Sequence, residues 1–128
     1  MTDYLDLDDL IKIAVAVTGR QRPPVRDWGL LESALARPRA EAFGVEAYES
    51  LHEKAAALLH SLARNHALVD GNKRLAYLAV KLMFGLNGLH LRVPSPEEGD
   101  VFIRAIAQGD HDVPEIAKTM ADWTTPLQ

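Results

Sequence analysis

The sequence predicts an all-α fold, a compact single-domain bundle of about six helices spanning residues 1–128. Three observations carry that expectation. Apolar residues recur at helical spacing in most segments. Glycine or proline stands where most of those segments stop. Ser-x-x-Glu pairs mark two of the starts. A chain of 128 residues is long enough to bury one core without staples.

The first helix lies in "DLDDLIKIAVAVTG", where Leu7, Leu10, Ile11, Ala14 and Val15 follow the i, i+3, i+4, i+7, i+8 stripe. Gly19 is placed to end it in a left-handed cap. "RQRPPV" (20–25) cannot continue a helix, because consecutive prolines remove donors and fix φ. A shorter helix is expected from Trp28 to about Ala36, with Asp27 as N-cap and Pro38 closing it. Residues 39–50 have no clean period and read as an exposed connection with room for a short extended piece.

Ser50 and Glu53 then form a capping box. Leu51, Ala55, Leu58, Leu59 and Leu62 make an apolar stripe running towards His66. After a loop at 67–71, a second strong helix begins near Asn72, with an expected buried face of Leu75, Leu78, Ala79, Leu82, Met83 and Leu86. Asn87-Gly88 ends it. "LHLRV" (89–93) alternates briefly, as an extended piece would. Ser95 to Glu98 is a further capping box, with Pro96 at the first helical position, where its missing N–H does no harm. That helix runs to about Gln108, before Gly109. A last one starts at Pro114 and carries Ile116, Ala117, Met120 and Trp123.

Composition excludes several classes. No run of eighteen apolar residues exists, so no membrane span is expected. The start "MTDYLDLDDL" is acidic where a secretory signal would be basic and then apolar. With no cysteine, disulfides and thiol catalysis are both excluded, which suits a reducing cytoplasm. A net charge of −4 argues against direct nucleic-acid binding, which needs a basic surface to displace counterions.

The chemistry concentrates in "NHALVDGNKRLA" (65–76), at the junction of the two best-marked helices. A helix N-terminus presents unpaired N–H groups and about half a positive charge, which attracts anions. Here Lys73 and Arg74 add cations that the helix dipole disfavours, unless an anion binds there. Gly71 would let a ligand come close to the backbone. Asp70 is a hard oxygen ligand suited to Mg²⁺ shared with phosphate oxygens. His66 is of the residue type suited to take a proton from an incoming hydroxyl. Taken singly, a histidine at a helix end is a dipole partner and adjacent Lys-Arg a solvated face. Together they are what a phosphoryl or nucleotidyl transferase requires.

"His66-Ala-Leu-Val-Asp70-Gly71-Asn72-Lys73-Arg74" resembles the signature loop of the Fic/Doc superfamily, H-x-F-x-[DE]-G-N-[GK]-R. Lysine in place of that motif's second glycine is similar to the Doc (death on curing) branch. "GLLESALARPRAEAFG" (29–44), "EKAAALLHSLARNH" (53–66) and "NGLHL" (87–91) also resemble the family's flanking segments. The resemblance implies a small helical fold centred on this loop. It implies His66 as general base, Asp70 as Mg²⁺ ligand, Gly71 for close backbone approach, and Asn72, Lys73 and Arg74 as ATP-phosphate binders. Fic enzymes transfer AMP from ATP to a protein hydroxyl. The Doc branch implies instead a toxin kinase that moves the γ-phosphate to a threonine of elongation factor Tu and stops translation, with the lysine reversing how ATP lies.

The family's phenylalanine is Leu68 here, which anchors the loop with less area. Arg64 is a further basic residue beside the motif, read as a surface side chain. An inhibitory [ST]-x-x-x-E-[GN] helix is not matched, since "SPEEG" (95–99) has glycine where the glutamate belongs. Restraint is therefore expected in trans, from an antitoxin of the Phd type with a tail that folds on binding. Two alternatives stand beside the kinase: a Fic-type protein AMP transferase, and a catalytically silent helical module whose basic loop docks an acidic partner.

Overall fold

The computed structural model describes residues 1–127 and contains the six expected helices. These are α1 (Leu7–Thr18), α2 (Trp28–Ala36), α3 (Leu51–Asn65), α4 (Asn72–Leu86), α5 (Pro96–Gln108) and α6 (Val113–Asp122). Among the described residues, no helix is long and apolar enough to cross a membrane. Short strands join them. β1 (Glu41–Ala42) and β2 (Val45–Glu46) form a hairpin, and β3 (Leu89–Leu91) pairs antiparallel with a terminal β4 (Thr124–Pro126).

The caps explain why the helices start where they do. Asp6, Ser50 and Asp112 each accept from the backbone N–H three residues on, and the residue there bonds back, closing a capping box. At Ser95 only half of the expected box forms. Its hydroxyl oxygen accepts from the Glu98 N–H, while the Glu98 carboxylate reaches the same hydroxyl rather than the Ser95 backbone. Gly19 (φ 70°) and Gly109 (φ 91°) close α1 and α5 in the left-handed region.

Helix α3 is the axis of the molecule. It packs against α2, α4, α5 and α6, so its burial is not confined to the expected stripe. Ala55, Ala56, Ala57 and Ala63 are as fully enclosed as Leu58, Leu59 and Leu62. Small side chains on every face let four helices approach it at once. Even Lys54 is only 2% exposed: its ammonium donates to the carbonyl oxygens of Tyr48 and Glu49 and pairs with Glu46 of β2, tying the hairpin to α3.

The buried face of α4 differs from the expected one. Leu75, Ala79 and Met83 are buried, but they are joined by Ala76, Val80 and Phe84 rather than by Leu78, Leu82 and Leu86. Those three leucines are 36%, 36% and 46% exposed. The sequence offers two apolar stripes on this helix. The one containing Phe84 wins because it faces α3, leaving Leu78 and Leu82 along an apolar groove shared with Ile13 and Ala16 of α1.

This rotation predicts unequal costs for neighbouring substitutions. Met83→Ala should lower stability by about 2–5 kcal/mol, the range for emptying a core site. Leu82→Ala, at a side chain 36% exposed, should lose less than about 1 kcal/mol. Urea denaturation of both variants measures the difference, and equal losses would contradict the observed face.

Candidate active site

The loop between α3 and α4 is held from three directions. Leu68 is 1% exposed, so the leucine that replaces phenylalanine in the family motif still anchors the loop in the core. Residues 24–27 run antiparallel alongside. Val25 bridges to Leu68, the Val69 N–H donates to the Pro24 carbonyl at 2.9 Å, and the N–H groups of Arg26 and Asp27 both donate to Ala67. The Arg26 guanidinium then donates to the carbonyl oxygens of His66 (2.9 Å) and Asn65 (3.3 Å), the last acceptors of α3. Sequence reasoning missed this strap, because nothing local in "RQRPPV" points to a partner forty residues away.

Asn72 holds the third side. Its amide oxygen accepts from the Leu68 N–H at 2.9 Å, and its amide nitrogen donates to the Leu68 carbonyl at 2.9 Å. Both polar ends of the side chain are therefore spent on one buried residue. The side chain of Asn72, expected as a phosphate binder, is thus engaged within the loop, while its backbone N–H lies in the first turn of α4.

Gly71 also has a task beyond the expected one. Its φ of 88° lies in the left-handed region, and a Cβ there would meet Val17 Cγ1 of α1 at 2.9 Å. Glycine is needed to turn the chain and to let α4 start against α1, before any ligand approaches.

His66 closes α3 with φ 51°, an uncommon conformation for a residue with a side chain. Such strain persists only where surrounding contacts over-determine it, and the Arg26 bond to its carbonyl is one of those contacts. The imidazole is exposed and has no hydrogen-bond partner among the described residues, so both ring nitrogens remain available. Asp70 is similarly half committed. One carboxylate oxygen accepts from the Gly71 N–H at 2.9 Å, and the other faces solvent. Lys73 and Arg74 are exposed and make no salt bridge among the described residues.

All six expected site residues, His66, Asp70, Gly71, Asn72, Lys73 and Arg74, line one cleft of about 640 Å³. That volume lies within the usual range for small-molecule sites. The opposite wall is α5, through Asp100, Arg104, Ala107 and Gln108. Arg64 is not part of it: its guanidinium lies against Gly109 at the end of α5. Glu97 and Glu98 of "SPEEG" face a different hollow, beside Phe102, His111 and Trp123. Among the described residues no group of three or more histidine and carboxylate side chains converges. A metal here would be held by one or two carboxylates and by substrate oxygens, which suits Mg²⁺ and does not suit a metal that needs an all-protein cage.

Comparison with known proteins fits this arrangement. A family model described as the Fic/DOC family matches residues 4–84, from the start of the fold through the loop and into α4. A protein of Mycolicibacterium smegmatis (strain ATCC 700084 / mc(2)155) called "Toxin Doc" is 43% identical over 129 residues, covering 100% of this chain and 98% of that protein.

Removing the Asn72 clamp should be felt in folding. Asn72→Ala leaves the N–H and C=O of buried Leu68 without these partners, at a cost of about 1–3 kcal/mol. Asn72→Asp keeps the acceptor but sets a carboxylate oxygen against the Leu68 carbonyl, so it should not restore stability. Thermal melting of the two variants checks this, and an Asn72→Ala protein as stable as the parent would sink the clamp.

Proposed function

The chain belongs to the Fic/DOC family, and on that premise we propose that it is a toxin acting as an ATP-dependent protein kinase. Its proposed substrate is a threonine of elongation factor Tu, so that phosphorylation arrests translation. The observation that carries the reading is the disposition of the cleft. A proton acceptor, a carboxylate oxygen and two cations without salt-bridge partners among the described residues meet there, on a loop whose backbone is already fixed and on the first turn of α4 that follows it.

The acceptor hydroxyl oxygen would attack the γ-phosphorus and pass its proton to a ring nitrogen of His66. The bond from that phosphorus to the bridging β-phosphate oxygen breaks as the new bond forms, and ADP leaves. Lys73, Arg74 and the first N–H groups of α4 would hold the phosphate oxygens, countering the negative charge that transfer redistributes. Asp70, through its second carboxylate oxygen, would hold a Mg²⁺ ion, which when bound would supply further charge neutralisation. Lysine at position 73 favours γ-phosphoryl over AMP transfer, because its side chain occupies space that a glycine would leave open to a phosphate. The locked loop leaves little reorganisation for the moment of reaction, which is where such chemistry gains most.

Restraint would come from a Phd-type antitoxin. The groove between α1 and α4, about 530 Å³ and lined by Ile13, Ala16, Leu78, Leu82 and Leu89, has the apolar character that an amphipathic helix requires. Leu78 also lines a hollow with Lys73 and Arg74, so a segment seated in the groove would run up to the cleft.

Incubation of elongation factor Tu with ATP labelled at either the γ or the α position tests the reaction. Label is expected from γ only, and transfer from α would replace the kinase by an AMP transferase. His66→Ala should lose about 10² to 10⁴ in rate with its fold intact, and Asp70→Asn should be inactive unless Mg²⁺ is raised. A fully active His66→Ala variant would remove the general base. For the antitoxin, Leu82→Asp should leave growth arrest unchanged yet escape neutralisation when an antitoxin encoded beside this chain is co-expressed. Neutralisation equal to that of the parent would exclude the groove.

A further inference from the structure

Helix α5 contributes a charged pair to the cleft, on the side opposite the signature loop. Asp100 and Arg104 stand one turn apart and form a salt bridge, and both line the cleft with His66, Asp70, Lys73 and Arg74. Read from sequence, they are an i,i+4 pair on a solvated face, worth a few tenths of a kcal/mol. Their position changes that reading. Arg104 is a third cation directed into a space that already holds two.

Three cations around one cleft repel one another unless something compensates. The carboxylates present are partly engaged, Asp70 with the Gly71 N–H and Asp100 with Arg104. A polyanion between α4 and α5 would turn that repulsion into attraction from both walls. Arginine suits this place better than lysine. Its planar fork offers five N–H donors, of which the Asp100 contact engages one terminal nitrogen. The rest have no protein partner among the described residues. Two parallel N–H donors match two oxygens of one phosphate, an arrangement that an ammonium group cannot reproduce.

We propose that Arg104 binds the phosphate chain of the nucleotide from the α5 wall, and that Asp100 is a positioning residue that holds the guanidinium over the cleft. This rests on the nucleotide-dependent reading of the site and adds a second wall to it. The phosphate chain then lies between Lys73 and Arg74 on one side and Arg104 on the other, in the cleft that Asp70 and His66 also line. Asp100 also lines the neighbouring hollow with Lys73 and Arg74. Asp100, Lys73 and Arg74 thus stand where the cleft meets the apolar space beside Tyr77, Val93 and Ile103.

Calorimetric titration of the whole chain with Mg·ATP, and separately with tripolyphosphate, tests the assignment. Loss of one charge-assisted contact corresponds to an affinity drop of about 10- to 100-fold. Arg104→Gln should show that drop for both ligands, with an unchanged melting temperature in their absence. Arg104→Lys should recover only part of it. Asp100→Asn should alter Mg·ATP affinity in the parent and leave it unaltered in the Arg104→Gln background, because Asp100 acts through Arg104. Unchanged binding by Arg104→Gln, beside a parent that binds Mg·ATP, overturns the Arg104 assignment while the nucleotide reading stands. A parent that binds tripolyphosphate through Arg104 but not Mg·ATP overturns the nucleotide reading and leaves Arg104 as an anion ligand. A parent that binds neither overturns both. An Asp100→Asn effect of equal size in the two backgrounds, or no effect in the parent, overturns the positioning role.

Discussion

The enclosure of α3 is the constraint on which the other features depend. A helix packed against four neighbours cannot carry large side chains all round, and the run of buried alanines at 55–57 lets those neighbours close in. Once α3 is fixed, its C-terminus is fixed, and His66 with it. Helix α4 must then leave the junction along a second packed face, so the loop has only residues 67–71 in which to turn. The geometry of the site is thus set by core packing one turn away from it. A substitution that expands α3 would move the histidine without touching it.

The loop divides its atoms between structure and chemistry. Leu68, Asn72, Gly71 and the main chain of 66–69 are all engaged, by burial, by the amide clamp or by the strap at 24–27. The groups left over are the imidazole of His66, one oxygen of Asp70 and the cations of Lys73 and Arg74. Asn72 shows the division most clearly. In the motif it stands among the residues assigned to phosphate, but its side chain is one of the three holds on the loop. Preorganisation of this kind lets charged groups act on a substrate without first paying to be ordered.

Much of this was legible in the sequence, for identifiable reasons. Helix starts follow from local chemistry, a side-chain oxygen and an N–H three residues on, so Asp27, Ser50 and Ser95 announced α2, α3 and α5. The clustering of the six site residues followed because they are nearly contiguous. What was not legible depended on contacts distant in sequence. The direction in which α4 turns its leucines is set by α3, and two apolar stripes on one helix cannot be ranked without it. The Arg26 strap joins segments that share no periodicity. β4 has no local strand signal and exists only because β3 offers it an edge. The contribution of α5 was hidden for a related reason: an i,i+4 pair looks the same whether it faces bulk water or a binding cleft.

The electrostatics of the chain follow the same logic of local against global. With a net charge of −4, the long-range field repels polyanions, and nothing in the composition favours nucleic acid. Within the cleft the balance is reversed, since Lys73, Arg74 and Arg104 outnumber Asp70 and Asp100. Beyond about 8–10 Å at ordinary salt, other surface charges are largely screened, so a small multiply charged ligand inside the cleft is governed by these five groups. A long polyanion spread over the surface would meet the acidic remainder instead. The charge pattern therefore selects by size as well as by sign, favouring a compact phosphate chain over an extended one. That selection needs both walls of the cleft, and α3, by holding α4 and α5 at once beside their direct contact with each other, keeps those walls together.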